Sequence, residues 1–557
     1  MIDTYTITES FSDQGEKVFV YEEGARRIPL GSLYSSKREA QKFADTHSKR
    51  HAVFVLIGYG NGDVVQELIR RGEYLHLFIL EPFEEIEFLN EHCHTDRVTV
   101  DHYTNFAFLT ASFRRILERY RGVDFQIMFH PHYDRTNPEY MKSVLLSIHR
   151  SVELVRLNYI TQMKYRKEWL LEPILNLEYN REILQLQELR GHFVGQKAIL
   201  AAAGPSLKDS IPYLSAMQKS AYIFAAGSAV NGLTSHGINP DFTVTYDSSE
   251  TNFEAHFKDT RYEGPMFIGT TANSNIIRNF KGPVILFGLE SDDISKRFFP
   301  ALPYLPSVPS VANVTLNILN YLGFSEVYLV GQDLAFQNGS YYAEGVRYHS
   351  AAKTLAIEFE IDSNSGEKVG TNSMLYAFLE TFNGMISMMD PERIKIYNLA
   401  KHGAKIQGAP YLPAEQFPFS FVREERDLKR TLAASTETGR EAVDICMAEL
   451  KKLYKQLKEV LRKLRNVSEY TATVKELKLV LRHLVRLREN EWYEGVILNQ
   501  FSYSLQRLNN FFEYEMDKPE YSNEDRVRMV KEVKNMIQET SDFLEKFLNE
   551  SKLQPFL

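Results

Sequence analysis

The sequence predicts an α/β protein with a helical C-terminal region: a Rossmann-like N-terminal body, a central doubly wound α/β body, and an all-α bundle. Three observations predict it. Apolar runs of strand length recur between about residues 50 and 400, with amphipathic stretches separating most of them. Two of the runs end in glycine turns that open helices. From about Arg423 strand signals vanish and Lys, Arg, Glu and Leu dominate. The expected division is 1–150 for the Rossmann-like domain, 151–190 for linking helices, 191–415 for the central domain and 420–557 for the bundle. A chain of 557 residues is too long for a single core.

Taken in order, KREAQKFADTHSK has helical spacing. HAVFVLIGYGNGDVVQELIRRGEYLHLFILEP reads as a strand, the loop Gly58-x-Gly60-x-Gly62, a helix and a strand ending in Glu81. An acidic residue about 20 positions beyond a glycine loop is where a Rossmann unit holds a ribose hydroxyl. The spacing departs from G-x-G-x-x-G and is closer to a methyltransferase loop. Both a working cofactor site and a domain that merely keeps the turn fit it. Strands near Arg97–Asp101 and Phe125–Phe129 continue this body. Glu91-His92-Cys93-His94 with Asp96 is too tightly spaced for a structural zinc site and reads as a surface loop. Residues 151–190 lack a glycine and carry apolar residues at helical spacing.

The central body opens with KAILAAAGPSLKDSIPYL, a buried strand, a Gly204-Pro205-Ser206 turn and a helix. A helix N-terminus offers unpaired N–H groups and a positive dipole end to a phosphate. Gly204 would admit a ligand to the backbone, Pro205 suits a first turn and Ser206 can cap it. An ordinary strand-to-helix turn accounts for the same residues. Further strands are AYIFAAG, DFTVTYD, PMFIG, PVILFG and EVYLVG. Ligands of such sheets bind beyond the carboxyl ends of the strands. Those ends carry Gly204 and Ser206, Gly227 and Ser228, Asp247, and Gly331-Gln332-Asp333, a set that suits a nucleotide crevice. Ser310 precedes a helix whose first turn holds Ala312 and Asn313, a second anion-ready terminus. The polar, aromatic stretch FQNGSYYAEGVRYHSAAKTL is long enough for a lid. IEFEIDSNSGEKVGT reads as a hairpin, NSMLYAFLETFNGMISMM as a helix, and IKIYNLAKHGAKIQG as a last strand and loop. Beyond residue 420, Leu450, Leu453, Leu457, Val460, Leu464 and Val467 form a coiled-coil-like seam, and two more amphipathic stretches complete a bundle.

Composition narrows function. Apolar content of 44% and charged content of 25% are those of a soluble globular protein. A net charge of −8 argues against nucleic-acid binding, which needs a basic face. Two cysteines, Cys93 and Cys446, make no disulfide framework. The opening MIDTYTITESFSDQGEK has no apolar signal segment, and no run approaches the ~20 residues of a membrane span. A cytoplasmic protein is expected.

AAAGPSL, the strand ending in Asp247, SVANVTLNILNYLGFSEVYLVGQDLAF, EKVGTNS and NLAKHGAKIQG together resemble the motility-associated factor (Maf) glycosyltransferases. Their central domain is related to bacterial sialyltransferases that use CMP-sugars. The resemblance implies transfer of a nonulosonic acid, such as pseudaminic or legionaminic acid, from a CMP donor to Ser or Thr of flagellin, a step needed for flagellum assembly and motility. It implies that Gly204, Ser206, Asp247 and Ser310 surround the cytidine and its phosphate. The relatives carry asparagine at the position of Asp247. Tyr342 matches a tyrosine that touches the donor phosphate, whereas Phe336 replaces a second one. The relatives' catalytic histidine falls near Gly370 or Thr371, so His349 in the lid and Asp333 stand as the candidate bases. The expected donor-binding set is Gly204, Pro205, Ser206, Gly227, Ser228, Asp247, Ser310, Ala312, Asn313, Gly331, Gln332 and Tyr342. No cofactor is required on this reading. Asp247-Ser248-Ser249-Glu250 offers oxygen ligands to a divalent metal, but a metal-free transfer is expected. Two alternatives remain: an ATP-dependent pterin pyrophosphokinase-like enzyme, to which the G-P-S-L domain is distantly related, and a non-catalytic factor that binds flagellin. Partners through the C-terminal helices would be a flagellin chaperone or a second copy.

Overall fold

The computed structural model describes residues 5–47, 52–93, 97–102, 106–121, 123–136, 138–178, 183–337, 339–343, 356–425, 439–468, 470–515 and 522–556. The chain forms two units. One comprises Met1–Tyr159, Leu461–Arg486 and Phe501–Glu539; the other comprises Ile160–Val460, Leu487–Gln500 and Thr540–Leu557. The predicted bundle region 420–557 is thus shared between them. Helix Pro138–Leu177, which covers most of the predicted linker, also contributes to both.

In the first unit β1 (Thr6–Phe11), β2 (Lys17–Glu23) and β3 (Arg26–Pro29) form an antiparallel sheet. A parallel sheet follows, ordered β6-β5-β4-β7, from β4 (Ala52–Ile57), β5 (His76–Glu81), β6 (Val98–His102) and β7 (Asp124–Phe129). Every residue of β4 and β5 is buried, as unbroken apolar runs require in a parallel sheet covered on both faces.

The second unit holds a nine-stranded sheet. Its order is β14-β13-β12-β11-β10-β9-β15-β18, with β8 (Ile183–Gln185) paired to β13. The strands are β9 (Lys197–Ala201), β10 (Tyr222–Ala226), β11 (Phe242–Thr245), β12 (Met266–Gly269), β13 (Val284–Leu289), β14 (Tyr304–Leu305), β15 (Glu326–Val330) and β18 (Lys395–Asn398). All these pairings are parallel. Successive strands step outward from β9 in one direction, and β15 then returns to its other side. The switch point therefore lies between β9 and β15, where doubly wound sheets open a crevice. Alternation along β9 sends Leu200 to one core, with Phe224, Phe267 and Leu319, and Ile199 to the other, with Leu214, Ile223 and Ile276. Helices Val311–Leu322 and Ser373–Ser387 cover the first face. Leu207–Met217, Ala229–Ser235 and Ser274–Asn279 cover the second. The predicted hairpin is β16 (Phe359–Asp362) with β17 (Lys368–Thr371).

The C-terminal region is helical at Arg440–Leu464, Val474–Arg488, Ser502–Glu515 and Asn523–Leu548. All six positions of the predicted leucine seam are buried. No described helix is long and apolar enough to cross a membrane.

Candidate functional site

At the switch point the turn after β9 meets the turn after β15. The Gly204 N–H donates to Gly331 O at 2.8 Å. The Ser206 N–H and hydroxyl both donate to Asp333 Oδ2, at 3.0 and 2.8 Å. Gln337 Nε2 donates to Asp333 Oδ1 at 2.6 Å. A Cβ at position 204 would lie 2.3 Å from Asp333 Oδ2 and 2.4 Å from Gly331 O. Close approach does demand glycine here, but the approaching group is the protein's own carboxylate. That carboxylate also takes the place at the start of helix Leu207–Met217 expected for a phosphate. Two local expectations are corrected. Ser206 makes no side-chain cap bond, since its hydroxyl is turned to Asp333. Pro205 precedes Ser206 and so lies before the first helical position.

Asp333 is 2% exposed. Burial pushes its pKa up to about 6, against the hydrogen bonds from Ser206, which lower it. With both oxygens engaged inside the fold, it holds two turns together. Leu334 adopts φ +54°, a conformation L-residues other than Asn and Asp rarely take, and redirects the chain. Its carbonyl accepts from Thr371 Oγ1 at 3.0 Å, and Gly370 O accepts from the Phe336 N–H at 2.8 Å. The two positions that match the relatives' histidine thus hold the loop after Asp333. Tyr342 is half-buried, its ring 4.5 Å from that of Tyr341, and the Ala343 N–H donates to Ala203 O at 2.8 Å. This lays residues 341–343 over the end of β9. Gln332 is 5% exposed, and its Oε1 has no partner among the described residues. His349 lies outside the described residues.

A second group forms at the carboxyl ends of β10 and β11. Gly227 has φ +51°, and its Cβ position lies 3.7 Å from the Val311 side chain. Tyr246 donates to Val308 O at 2.6 Å, tying β11 to the approach of helix Val311–Leu322. Ser310 caps that helix, accepting from the Asn313 N–H at 3.2 Å and donating to Asn313 Oδ1 at 2.5 Å. Asn313 is fully buried, and its Nδ2 has no partner among the described residues. Ala312 is buried beside it, while Ser228 makes no cap bond. Asp247 is exposed to water, yet protein atoms crowd it. The crowding raises its pKa, and the Ser249 hydrogen bonds and Lys164 oppose the rise.

The wall beyond Asp247 was not legible in the sequence. The Asn273 N–H donates to Asp247 O at 3.1 Å, and its side chain donates to Ser248 O and Glu250 Oε2, both at 3.2 Å. Glu172, 1% exposed on helix Pro138–Leu177, accepts from the Ser274 N–H at 2.7 Å. Lys552 bridges Glu172 and Glu250, at 3.2 Å to each. Glu250 is therefore already held by a cation and by the Asn273 and Asn275 amides. No three His, Cys, Asp or Glu side chains converge as a metal site among the described residues. A separate cavity of about 440 Å³, lined by Asn383, Ile386, Ile396 and Gln407 among others, opens beside edge strand β18. None of the candidate residues lines it.

The glycine loop of the first unit is filled from within. Gly58, Gly60 and Gly62 have φ of +99°, +61° and +87°. A Cβ at Gly58 would lie 2.5 Å from the Tyr133 ring, and one at Gly60 would lie 2.8 Å from the His130 ring. Glu81 is fully buried. It accepts from the Tyr59 N–H at 2.6 Å, the Phe83 N–H at 2.9 Å and the Tyr133 hydroxyl at 2.8 Å. Burial pushes its pKa up to about 7. The residue predicted to meet a ribose thus binds the glycine loop itself. His92 is also not on a surface loop: it is 2% exposed, with Nδ1 at 2.8 Å from the Tyr59 hydroxyl. His94 and Asp96 lie outside the described residues.

Against this geometry, a family model described as 6-hydroxymethylpterin diphosphokinase MptE-like matches residues 173–339. An uncharacterized protein of Treponema pallidum (strain Nichols) is 26% identical over 127 residues, which are 23% of this chain and 56% of that protein. The chain thus spans about half the length of that curated relative. Among solved structures, a MAf glycosyltransferase from Magnetospirillum magneticum AMB-1 shares the fold, with a TM-score of 0.59 and 14% identity over 98% of this chain and 92% of that one. The structural likeness extends over nearly the whole chain, and the predicted fold class is the one observed.

Proposed function

We propose that this protein is a glycosyltransferase that moves a nonulosonic acid from a CMP donor to Ser or Thr hydroxyls of flagellin. The carrying observation is the first turn of helix Val311–Leu322. Its cap leaves the Val311 and Ala312 amides to a ligand by the general rule for helix starts, the buried Asn313 Nδ2 beneath it has no partner among the described residues, and Gly227 packs against it. An anion seated there is stabilised by the dipole and by donors already fixed in place. The acceptor oxygen attacks the anomeric carbon while the bond from that carbon to the phosphate oxygen breaks, and CMP leaves with the electron pair. His349 is the proposed base for the hydroxyl proton, and Asp333 acts as a positioning residue. The reaction inverts the anomeric centre and proceeds without a metal.

The test is intact mass spectrometry of flagellin co-expressed with a nonulosonic-acid pathway, with and without this protein. The sugar's mass increment is expected only with the protein, and is expected to vanish with Asp247→Ala and with Asn313→Ala. Modification that survives both substitutions overturns this crevice as the donor site. The family model supports a second reading, diphosphate transfer from ATP to a hydroxymethylpterin. Incubation with both compounds tests it, and a pterin diphosphate product would establish it over sugar transfer.

A further inference from the structure

Lys552 lies more than 300 positions from Asp247 in sequence, but its ammonium group reaches the same wall of the crevice. It sits 3.2 Å from Glu172 Oε1 and 3.2 Å from Glu250 Oε2. Glu172 is 1% exposed and fixes the Ser274 N–H at 2.7 Å. Glu250 accepts from Asn273, whose own N–H holds Asp247 O at 3.1 Å. One cation thus compensates two carboxylates and ties together the two loops that flank Asp247. Without it, Glu172 and Glu250 would lose the cation that bridges them, and Glu172 would lose it in a buried position. A donor carrying a phosphate meets that field, whereas an uncharged nucleoside does not.

Resting on the CMP-donor reading above, we propose that Lys552 is a positioning residue that makes the site selective for an anionic nucleotide, by cancelling the charge of Glu172 and Glu250 and by fixing the loops that carry Asp247 and Asn273. The sequence concealed it, because Lys552 belongs to the stretch that reads as bundle.

The test uses the full chain and two probes, CMP and cytidine, titrated calorimetrically. Lys552→Gln is expected to weaken CMP about tenfold while changing cytidine little, with the loss shrinking at high salt. Lys552→Arg is expected to retain CMP affinity. Because Lys552→Gln leaves the buried Glu172 carboxylate without its cation, the double variant Lys552→Gln/Glu172→Gln removes that charge as well and is expected to recover most of the CMP affinity. Equal loss of CMP and cytidine, or no loss of either, overturns the role of Lys552. Failure of the unaltered protein to bind CMP overturns the donor reading itself, a result distinct from either of these.

Discussion

At the scale of single residues, Gly204 and Asp333 form one device. The carboxylate occupies the space a Cβ at 204 would need, so Gly204→Ala forces either the Asp333 side chain or the Gly331 carbonyl to move. We expect a loss of about 1–3 kcal/mol of stability, as for other overpacked sites, read as a lower Tm. An unchanged Tm with weakened CMP binding would mean that the glycine makes room for a ligand instead. Asp333 also sets a pH dependence. Its pKa is raised in the folded state to about 6 from an ordinary 3.8, so the folded chain binds this proton more tightly than the unfolded chain. Ionisation above about 6 therefore costs stability, and protonation between about 6 and 4 restores it. Relative to Asp333→Asn, the unaltered protein should gain up to about 3 kcal/mol on acidification from pH 7 to pH 4. Denaturant melts of the two proteins across that range measure it, and a relative loss on acidification would refute the assignment. Neither residue's use was legible in the sequence. The G-P-S pattern is the same whether a phosphate or a carboxylate meets it, and the partner comes from 127 positions away.

At the scale of elements, the parallel strands were legible because each is an unbroken apolar run between turn residues. β9 through β13 and β15 fall where the sequence placed them. The two short strands β8 and β14, of three and two residues, were missed; segments so short carry no periodicity. The glycine loop after β4 shows the limit of motif reading. Its backbone has the expected positive φ values, but aromatic rings from beyond β7 fill the space a cofactor would use. Tyr133 is fully buried and donates to Glu81. Tyr133→Ala should therefore cost about 3–5 kcal/mol, as large aromatic deletions in cores do. The unaltered first unit should show no saturable binding of NAD or S-adenosylmethionine in titrations. Saturable binding of either at micromolar concentration would contradict this filling of the loop.

At the scale of the whole molecule, the sequence suggested consecutive domains, whereas the second unit is assembled from three separated stretches of chain. Composition changes sharply near residue 423 and reads as a boundary, but a composition shift does not report what packs on what. Helix Asn523–Leu548 contributes to both units, and Lys552 compensates the buried Glu172. A chain ending at residue 420 should therefore fail to fold to a stable state, since Glu172 would be left with an uncompensated charge. Limited proteolysis and near-UV dichroism of that shortened chain test this, and a protease-resistant product with a cooperative melt would refute it. The same layout bears on how the protein is made. The ribosome releases the sheet strands first and Lys552 long afterwards, so the wall beside Asp247 stays incomplete through most of translation. A prematurely terminated product would carry every strand of the sheet yet lack the lysine that bridges Glu172 and Glu250.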